Sequence, residues 1–270
     1  MNFDRHEVQL YFENKLGCSD VTQWKSYKSG LEAYSFSPSD VTILNTLLLV
    51  DSAALYLQAL QSFAQALSGI PRKEFAWPIV KMYYAIFYSM RCELYASSVV
   101  AVKCGNIYYS ANTDGAVFQH VQEKGSHQTY IKLRKTLPPS VISQDNLLGN
   151  EIEAGKDVYS WMCSNRERVN YHMKHFTDPE PDDVLEKIYT DYAQPKKLTE
   201  LFNLYEGDLV YCFDMDHATV AAPYRKLRTC RDLLRGRVQL NPDEQLKQSS
   251  VRTQLMALGI DANAVDRLML

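Results

Sequence analysis

The chain has 270 residues, of which 46% are hydrophobic and 23% are charged, with a formal net charge of −3. This composition is typical of a soluble globular protein that is long enough for one large domain or two modest ones. Because non-specific affinity for nucleic acid comes largely from neutralising phosphates, the slightly acidic balance excludes a protein that coats RNA, while a small basic cleft stays compatible with it.

No uninterrupted run of eighteen or more apolar residues occurs in the chain, which predicts that no segment spans a membrane. The first residues lack a basic region followed by an apolar run, so we expect no signal peptide. The six cysteines are scattered and form no C-x-x-C pair, a pattern typical of reduced thiols inside the cell. Together these features predict a cytoplasmic protein that does not associate with membranes.

Residues 1–40 are predicted to be an N-terminal extension, in which glycines and a serine-rich cluster separate short segments. Ser39 or Asp40 is predicted to cap the helix that follows. From residue 41 to about residue 67, leucines recur mostly at steps of three and four residues, which predicts the first long helix. Gly69 and the proline two residues later are predicted to end it.

A second helix is predicted over residues 74–98, with Pro78 in its first turn, where a proline costs little. Its aromatic residues spread around much of the helix, which favours a packed core or a dimer seam over a surface that stacks on bases. A short extended piece is predicted near residues 106–109, and a third helix over about residues 128–135.

A fourth helix is predicted from about residue 150 to residue 171 or slightly beyond. Residues 182–270 are predicted to be a further helical region, and residues 224–237 are its most basic segment. A solvated helix face is the simplest interpretation of that segment, and contact with RNA or an acidic partner is the alternative. The aspartates before His217 are interpreted as a capped turn, because no phosphate-binding glycine loop precedes them.

The end of the fourth predicted helix places two arginines, an asparagine and two histidines close together. Arginine provides a permanent positive charge and a forked set of donors that suits phosphate oxygens. Histidine is the side chain best able to move a proton near neutral pH. These residue types are sufficient for metal-free cleavage of a phosphodiester. The candidate catalytic residues are therefore Arg166, Arg168, Asn170, His172 and His175.

On a continuous α-helix these five residues would lie on two separate faces. Arg168, His172 and His175 would share one face, because residues three and four apart are neighbours. Arg166 and Asn170 would share a second face, roughly 160° away. Two copies of the chain that meet at a two-fold axis would bring both faces into one cleft. A helix that ends just before His172 would instead let that histidine turn back toward Arg166.

The spacing of these residues resembles the R-x(4–6)-H signature of HEPN domains. Arg166 and His172 are separated by five residues, and Arg168 and His175 by six, so both pairs fit the signature. The residue after the signature arginine is often Asn, Asp or His in that family. The chain departs from this pattern, because Glu167 follows Arg166.

Two upstream segments extend the resemblance. The aromatic stretch over residues 77–88 is similar to the second helix of HEPN domains, and Gly125-Ser126-His127 is similar to the turn that opens their third helix. The resemblance covers roughly residues 40–180. Since HEPN domains are all-helical, it implies an all-α fold: a HEPN-like helical bundle over residues 41–181 with a short extended or β insertion, followed by a C-terminal helical extension.

The resemblance also implies a function. HEPN domains typically dimerise, and many are metal-independent endoribonucleases of toxin–antitoxin and antiviral systems, while others have lost catalysis and serve as binding modules. The implied partners are an RNA substrate, a second copy of the chain or a higher homo-oligomer, and an antitoxin or defence-system protein. No cofactor, metal or membrane is expected.

Two functions are therefore expected. In the first, an RNA 2′-hydroxyl attacks the adjacent phosphate, with His172, or else His175, as general base or acid. Arg166, joined by Arg168, stabilises the charge of the transition state, and Asn170 orients the histidine or contacts a phosphate oxygen. In the second, the domain is a non-catalytic module that dimerises or binds a partner or nucleotide. A zinc site is not expected, because no further ligand follows the two histidines at zinc spacing.

Overall fold

The structure, a computed structural model, describes residues 5–121, 123, 125–192 and 197–270. These residues are mostly helical with two small antiparallel sheets, which confirms the prediction of a largely helical fold. The α-helices are α1 (Glu7–Lys15), α2 (Lys28–Glu32), α3 (Pro38–Gly69), α4 (Ala76–Ala96), α5 (Ser126–Thr136), α6 (Asn146–Gly149), α7 (Val158–Glu167), α8 (Asp183–Tyr192), α9 (Lys197–Gly207), α10 (Met215–Leu234), α11 (Pro242–Ala257) and α12 (Ala262–Asp266). The strands are β1 (Val99–Cys104), β2 (Asn106–Ala111), β3 (Gln119–His120), β4 (Glu151–Glu153) and β5 (Lys156–Asp157).

The chain packs into two compact units, each built from two separate stretches. The first unit combines Met1–Ala54 with Arg91–Gln144, and the second combines Leu55–Met90 with Asp145–Leu270. The predicted boundary after residue 40 falls inside the first unit, and the one after residue 181 falls inside the second. The three regions predicted from the sequence therefore do not coincide with the compact units, because long helices carry the chain from one unit to the other.

In the first unit, the sheet has the strand order β1-β2-β3. Gly105 makes the turn between β1 and β2 with a φ of 74°, a left-handed conformation that glycine adopts without steric cost. The extended piece predicted near residues 106–109 is confirmed as part of β2. The sheet also includes β1, which the sequence analysis did not separate from its surroundings.

The predicted N-terminal extension is part of the core of this first unit. Phe12 on α1 is fully buried, and its ring lies 5.6 Å from that of Phe36 and 4.9 Å from that of Phe118. The carboxylate of Asp51 accepts hydrogen bonds from the first amide groups of α1, at 2.8 and 2.9 Å. These contacts join residues that are far apart in sequence, so local patterns did not reveal them.

Helix α3 begins at Pro38, so the prediction that Ser39 or Asp40 caps it was wrong. Ser37 stands before the helix, and its hydroxyl accepts a hydrogen bond from the amide of Asp40 at 3.3 Å. In return the carboxylate of Asp40 accepts from the amide and the hydroxyl of Ser37, both at 2.8 Å. This reciprocal arrangement is that of a capping box, with proline at the first helical position, where its missing N–H is not needed.

Asp40 is buried in a network of donors that makes its ionisation important for stability. Burial alone would raise the pKa of the Asp40 carboxyl, but hydrogen bonds from Tyr11, Ser37 and Lys15 outweigh it and hold the pKa far below its usual value. The charged carboxylate is therefore bound more tightly in the folded protein than the neutral acid. Its contribution is fully present above the unfolded pKa of about 4 and is lost as the pH falls toward the lower folded pKa.

We expect Asp40→Asn to lower the free energy of unfolding by about 1–3 kcal/mol at neutral pH, because hydrogen bonds to the charged carboxylate are lost. The difference from wild type should narrow as the pH falls below about 4. Urea unfolding at pH 7 and at successively lower pH measures both effects. Asp114→Asn, in an exposed loop, is the matched control. A difference between wild type and Asp40→Asn that stays constant across this pH range would contradict the expectation.

In the second unit, α10 packs against α8 and α9. The ring of Phe202 lies 5.9 Å from that of Phe63 and 4.7 Å from that of Tyr224, and all three residues are buried. The helical region predicted after residue 182 is confirmed, and it contains α8, α9, α10, α11 and α12. Asp214 caps α10 by accepting from the amide of Asp216 at 3.0 Å, so the capped turn before His217 is also confirmed.

The fourth predicted helix starts later than the sequence suggested. Residues 150–157 form the end of α6 and the β4–β5 ribbon, and α7 begins only at Val158. Gly155 allows the turn of the ribbon with a φ of 75°. Asp157 then caps α7, its carboxylate accepting from the amide of Ser160 at 2.9 Å. The predicted start near residue 150 was wrong because this glycine and this cap divide the segment.

The basic segment over residues 224–237 was interpreted as a solvated face or a contact surface, and for its central cations both interpretations were wrong. Lys226 is 3% exposed, and its ammonium lies 2.9 Å from the carboxylate of Asp145. Arg228 binds the carboxylate of Glu206, with its Nη2 at 2.9 Å. The acidic partners come from α9 and from the residue before α6, so only the folded chain brings them together.

One described helical segment, Pro38–Arg72, is long and apolar enough to cross a membrane by length and composition alone. This segment contains no uninterrupted apolar run of eighteen residues, because scattered polar residues interrupt the leucines. Within its most apolar stretch, 56% is buried inside the protein. A helix that supplies this much of a protein core passes the same test, and the leucines of α3 are largely buried.

Candidate functional site

The candidate residues lie where α7 changes its helical geometry. After Glu167 the chain continues as a π-helical turn over Arg168–His172, closed by a hydrogen bond from the amide of Met173 to the carbonyl of Arg168 at 3.0 Å. Such i→i+5 turns are rare and occur frequently at functional sites. The backbone becomes extended at Met173. A continuous α-helix through this segment was therefore the wrong expectation.

The two predicted faces are changed by this turn. His175 lies beyond the end of the helix, so it does not share a helical face with Arg168 and His172. Asn170, His172 and His175 are all exposed. Among the residues that the structure describes, none of these three side chains accepts or donates a hydrogen bond or forms an ion pair. They stand at the surface, available to a ligand or to a second chain.

Arg166 is the buried member of the set. It is 8% exposed, and its guanidinium carbon lies 5.5 Å from the ring centre of Tyr83, 5.9 Å from that of Tyr84 and 5.7 Å from that of Tyr171. These distances are typical of cation–π contacts. Tyr171 is five residues after Arg166, and the wider π turn brings their side chains together. We name Arg166 with these three tyrosines the arginine cage.

The charge of Arg166 is retained despite its burial. Burial would lower the pKa of the guanidinium, but the neighbouring hydroxyl groups of Tyr84, Tyr83 and Tyr171 raise it above its usual value. The nearest carboxylate oxygen, on Glu167, is 3.7 Å from Nη1. The Nε atom is buried and has no hydrogen-bond partner in the described part of the chain. A buried donor without a partner costs stability.

Arg168 has a different role from Arg166. Its guanidinium forms two hydrogen bonds with the carboxylate of Asp182, at 2.9 and 2.7 Å, and Asp182 is 3% exposed. This paired geometry is the strongest that an arginine makes with a carboxylate. This ion pair occupies the guanidinium of Arg168. Arg166 has no such paired contact with a carboxylate among the described residues.

We expect Asp182→Asn to lower the free energy of unfolding by about 1–2 kcal/mol, since Arg168 is partly exposed and water screens its charge. The π turn should also open more often, because Arg168 closes it with its carbonyl and anchors it with its side chain. Hydrogen exchange of the Met173 amide measures this opening. Asp183→Asn, at the exposed neighbouring position, is the control. Equal exchange rates at Met173 in the two variants would contradict the anchoring role.

Sequence reasoning missed the parts of the site that come from other elements. Tyr83 and Tyr84 were recognised as aromatic residues of α4 but were not connected with Arg166. Asp182 was not singled out at all. The sequence shows only that an aromatic helix is followed by an arginine-rich one. This order does not predict which aromatic rings contact which arginine.

Other reactive groups near the site have structural roles. Cys163 is buried, and burial raises the pKa of its thiol, so it stays protonated near neutral pH, as expected for a small buried residue. Burial also raises the pKa of Tyr83 far above its usual value, which keeps that ring neutral. Among the described residues, no group of three or more His, Cys, Asp or Glu side chains is placed to hold a metal ion.

Comparison of the chain with protein-family models, with curated proteins and with solved structures gives no significant match. The function is therefore inferred from the residues of the site and from the resemblance carried by their spacing.

Proposed function

We propose that this protein is a metal-independent endoribonuclease of the HEPN type, with Arg166 and His172 as its reactive pair. The observation that supports this most strongly is the arginine cage. A fully charged guanidinium is buried with one donor unpartnered, on the turn before an exposed histidine. A preorganised cation of low exposure stabilises developing negative charge more effectively than a solvated one.

The proposed reaction uses only groups of the chain and of the RNA. The 2′-hydroxyl of one nucleotide loses its proton to a general base and attacks the adjacent phosphorus. The bond to the 5′-oxygen of the next nucleotide breaks, and a general acid protonates that oxygen. The products are a 2′,3′-cyclic phosphate and a free 5′-hydroxyl. Arg166 stabilises the charge on the phosphoryl oxygens as the transition state forms.

His172 is proposed to carry the proton transfers, with His175 as the second candidate and Asn170 as the residue that orients the histidine or the phosphate. Two proton transfers on opposite sides of the phosphate need two groups. A homodimer supplies them, because a two-fold axis places one His172 from each copy at the same cleft. The exposure of Asn170, His172 and His175 is compatible with such an interface.

The HEPN resemblance leads us to propose a setting for this activity. The protein would act in a toxin–antitoxin or anti-phage defence system, where a partner protein or a trigger controls the nuclease. The net charge of −3 supports a narrow target over general RNA degradation, because it disfavours non-specific binding to phosphates.

A non-catalytic module that binds a nucleotide or a partner protein is the second candidate. The burial of Arg166 favours it, since three aromatic rings already contact the guanidinium and the residue as a whole is only 8% exposed. In this case Arg166 orders the turn, and the exposed residues of the turn bind the partner.

Cleavage of a structured RNA in the presence of a chelator distinguishes the two candidates. The endoribonuclease should produce discrete fragments that end in a 2′,3′-cyclic phosphate, at an unchanged rate in excess EDTA. A substrate with a single 2′-deoxy substitution at the mapped site should stay intact there. Loss of cleavage in EDTA, or cutting at the deoxy position, would overturn the proposed reaction. Intact RNA across a panel that includes total cellular RNA and co-expressed partners would favour the binding module.

A further inference from the structure

The arginine cage has an inner side and an outer side. On the inner side, Tyr83 is 1% exposed and stacks on Phe87, with ring centres 5.9 Å apart and planes 18° apart. On the outer side, Tyr84 is only partly buried and stacks on Tyr88 at 5.7 Å and 26°. Tyr171 is 69% exposed although its ring contacts Arg166. The cage is therefore closed by the core on one side and open to solvent on the other.

The contact with Arg166 gives the exposed ring of Tyr171 a defined position. A cation near an aromatic ring restrains it, and the restraint is stronger when the cation is desolvated, as Arg166 is. An aromatic side chain that is mostly exposed yet held in place resembles a binding platform, since stacking on it requires little further loss of conformational entropy.

The flat group that fits this platform is a nucleic acid base. Every base has a π-face that stacks on tyrosine, and the phosphate attached to its sugar is an acceptor for a guanidinium. A base in a duplex already has neighbours on both faces, so only an unpaired nucleotide can use the ring.

We propose that Tyr171 is a stacking platform for one unpaired RNA base, positioned so that the adjacent phosphate lies at the open side of the arginine cage, near the positive charge of Arg166. The ligand is a single-stranded RNA segment, such as a loop. This inference rests on the proposed function for the identity of the ligand, and it adds the residue that selects single strands over duplexes. Tyr171 is a binding residue here and takes no part in the proton transfers.

Binding of an RNA that cannot be cleaved tests the platform separately from catalysis. The probe is a fluorescently labelled 2′-O-methyl oligonucleotide, as a single strand and as a duplex, measured by anisotropy with the full chain. Wild type should bind the single strand more tightly than the duplex. Tyr171→Ala and Tyr171→Leu should each weaken single-strand binding by roughly tenfold, because a stacking contact is lost. Tyr171→Trp should bind at least as tightly as wild type.

The control variant is Phe176→Ala. Phe176 is 54% exposed on the same segment, and its removal should leave binding unchanged. Circular dichroism confirms that each variant is folded, and Tyr171→Leu preserves an apolar side chain in case Tyr171→Ala is not. Equal binding of Tyr171→Leu and wild type, or equal binding of single strand and duplex, would overturn the platform.

The outcomes separate this inference from the proposed nuclease. If wild type and Tyr171→Trp bind the single strand more tightly than Tyr171→Ala and Tyr171→Leu do, the platform is supported. If natural RNA is also left uncut, the same result counts against the nuclease. Cleavage that persists unchanged in Tyr171→Leu, with no change in probe affinity, supports the nuclease and overturns the platform. Absence of any measurable binding of the single strand by wild type overturns the platform as well.

Discussion

Arg166→Ala is expected to lower the rate of RNA cleavage by roughly 10²–10³-fold, the loss that follows removal of one preorganised group from a charged transition state. The matched control is Lys174→Ala, which removes an exposed cation from the same segment but leaves the arginine cage intact. Its rate should stay within a few-fold of wild type. Single-turnover measurements with saturating protein compare the chemical step directly.

In the same assay, Arg166→Lys tests whether the positive charge at this position is sufficient or whether the planar guanidinium is also required. Lysine retains the positive charge but lacks the planar fork that lies among the rings of Tyr83, Tyr84 and Tyr171. We expect a variant that is folded and still strongly impaired. If Arg166→Ala is folded and cleaves RNA within a few-fold of wild type, Arg166 is a structural residue, and the proposed reaction fails.

The second large effect is expected in stability. Lys226→Met should lower the free energy of unfolding by about 3–5 kcal/mol, because it leaves the carboxylate of Asp145 buried without the lysine cation. Both side chains of this ion pair are 4% exposed. The same Asp145 also accepts hydrogen bonds from the hydroxyl of Tyr159 at 2.6 Å and from the amide of Leu147 at 3.0 Å. The pair therefore joins α10, α7 and α6 within the second unit.

Urea unfolding measures this loss, and Arg252→Ala is its control. Arg252 forms an ion pair with Asp266 at 2.6 Å, but the two side chains are 40% and 49% exposed, so its removal should lower the free energy of unfolding far less than Lys226→Met does. The double variant Lys226→Met with Asp145→Asn removes both charges and should recover part of the loss. If Lys226→Met and Arg252→Ala lower the free energy of unfolding by the same amount, the buried ion pair contributes no more to stability than the surface pair does.

Local sequence patterns predicted the elements whose formation depends mainly on their own residues. Helix α3 follows from leucines spaced at three and four positions, and the helices after residue 182 lie in the region that was predicted to be helical. The end of α3 follows from a glycine and a proline. The predicted start of α7 was wrong. A short β ribbon and a helix cap occupy residues 150–157, which the sequence pattern assigned to the helix.

The candidate site was predicted in its residues but not in its connections. The sequence predicted Arg166 as the main cation of the site with Arg168 beside it, and only the structure shows that their partners differ. Arg168 meets a buried carboxylate fourteen residues later, while Arg166 meets the rings of α4, about eighty residues earlier. Spacing alone contains no information about such partners, because they depend on how the helices pack.

From its sequence alone, this protein is determined to be a mostly helical chain with a cluster of arginines and histidines after an aromatic helix, since residue type and periodicity act locally. The tertiary structure decided which arginine lies among aromatic rings, which histidine lies beyond the helix, and which lysine is buried. These features depend on burial and on partners that are distant in sequence. The interaction energy of a charged side chain changes several-fold with its burial and with its partner.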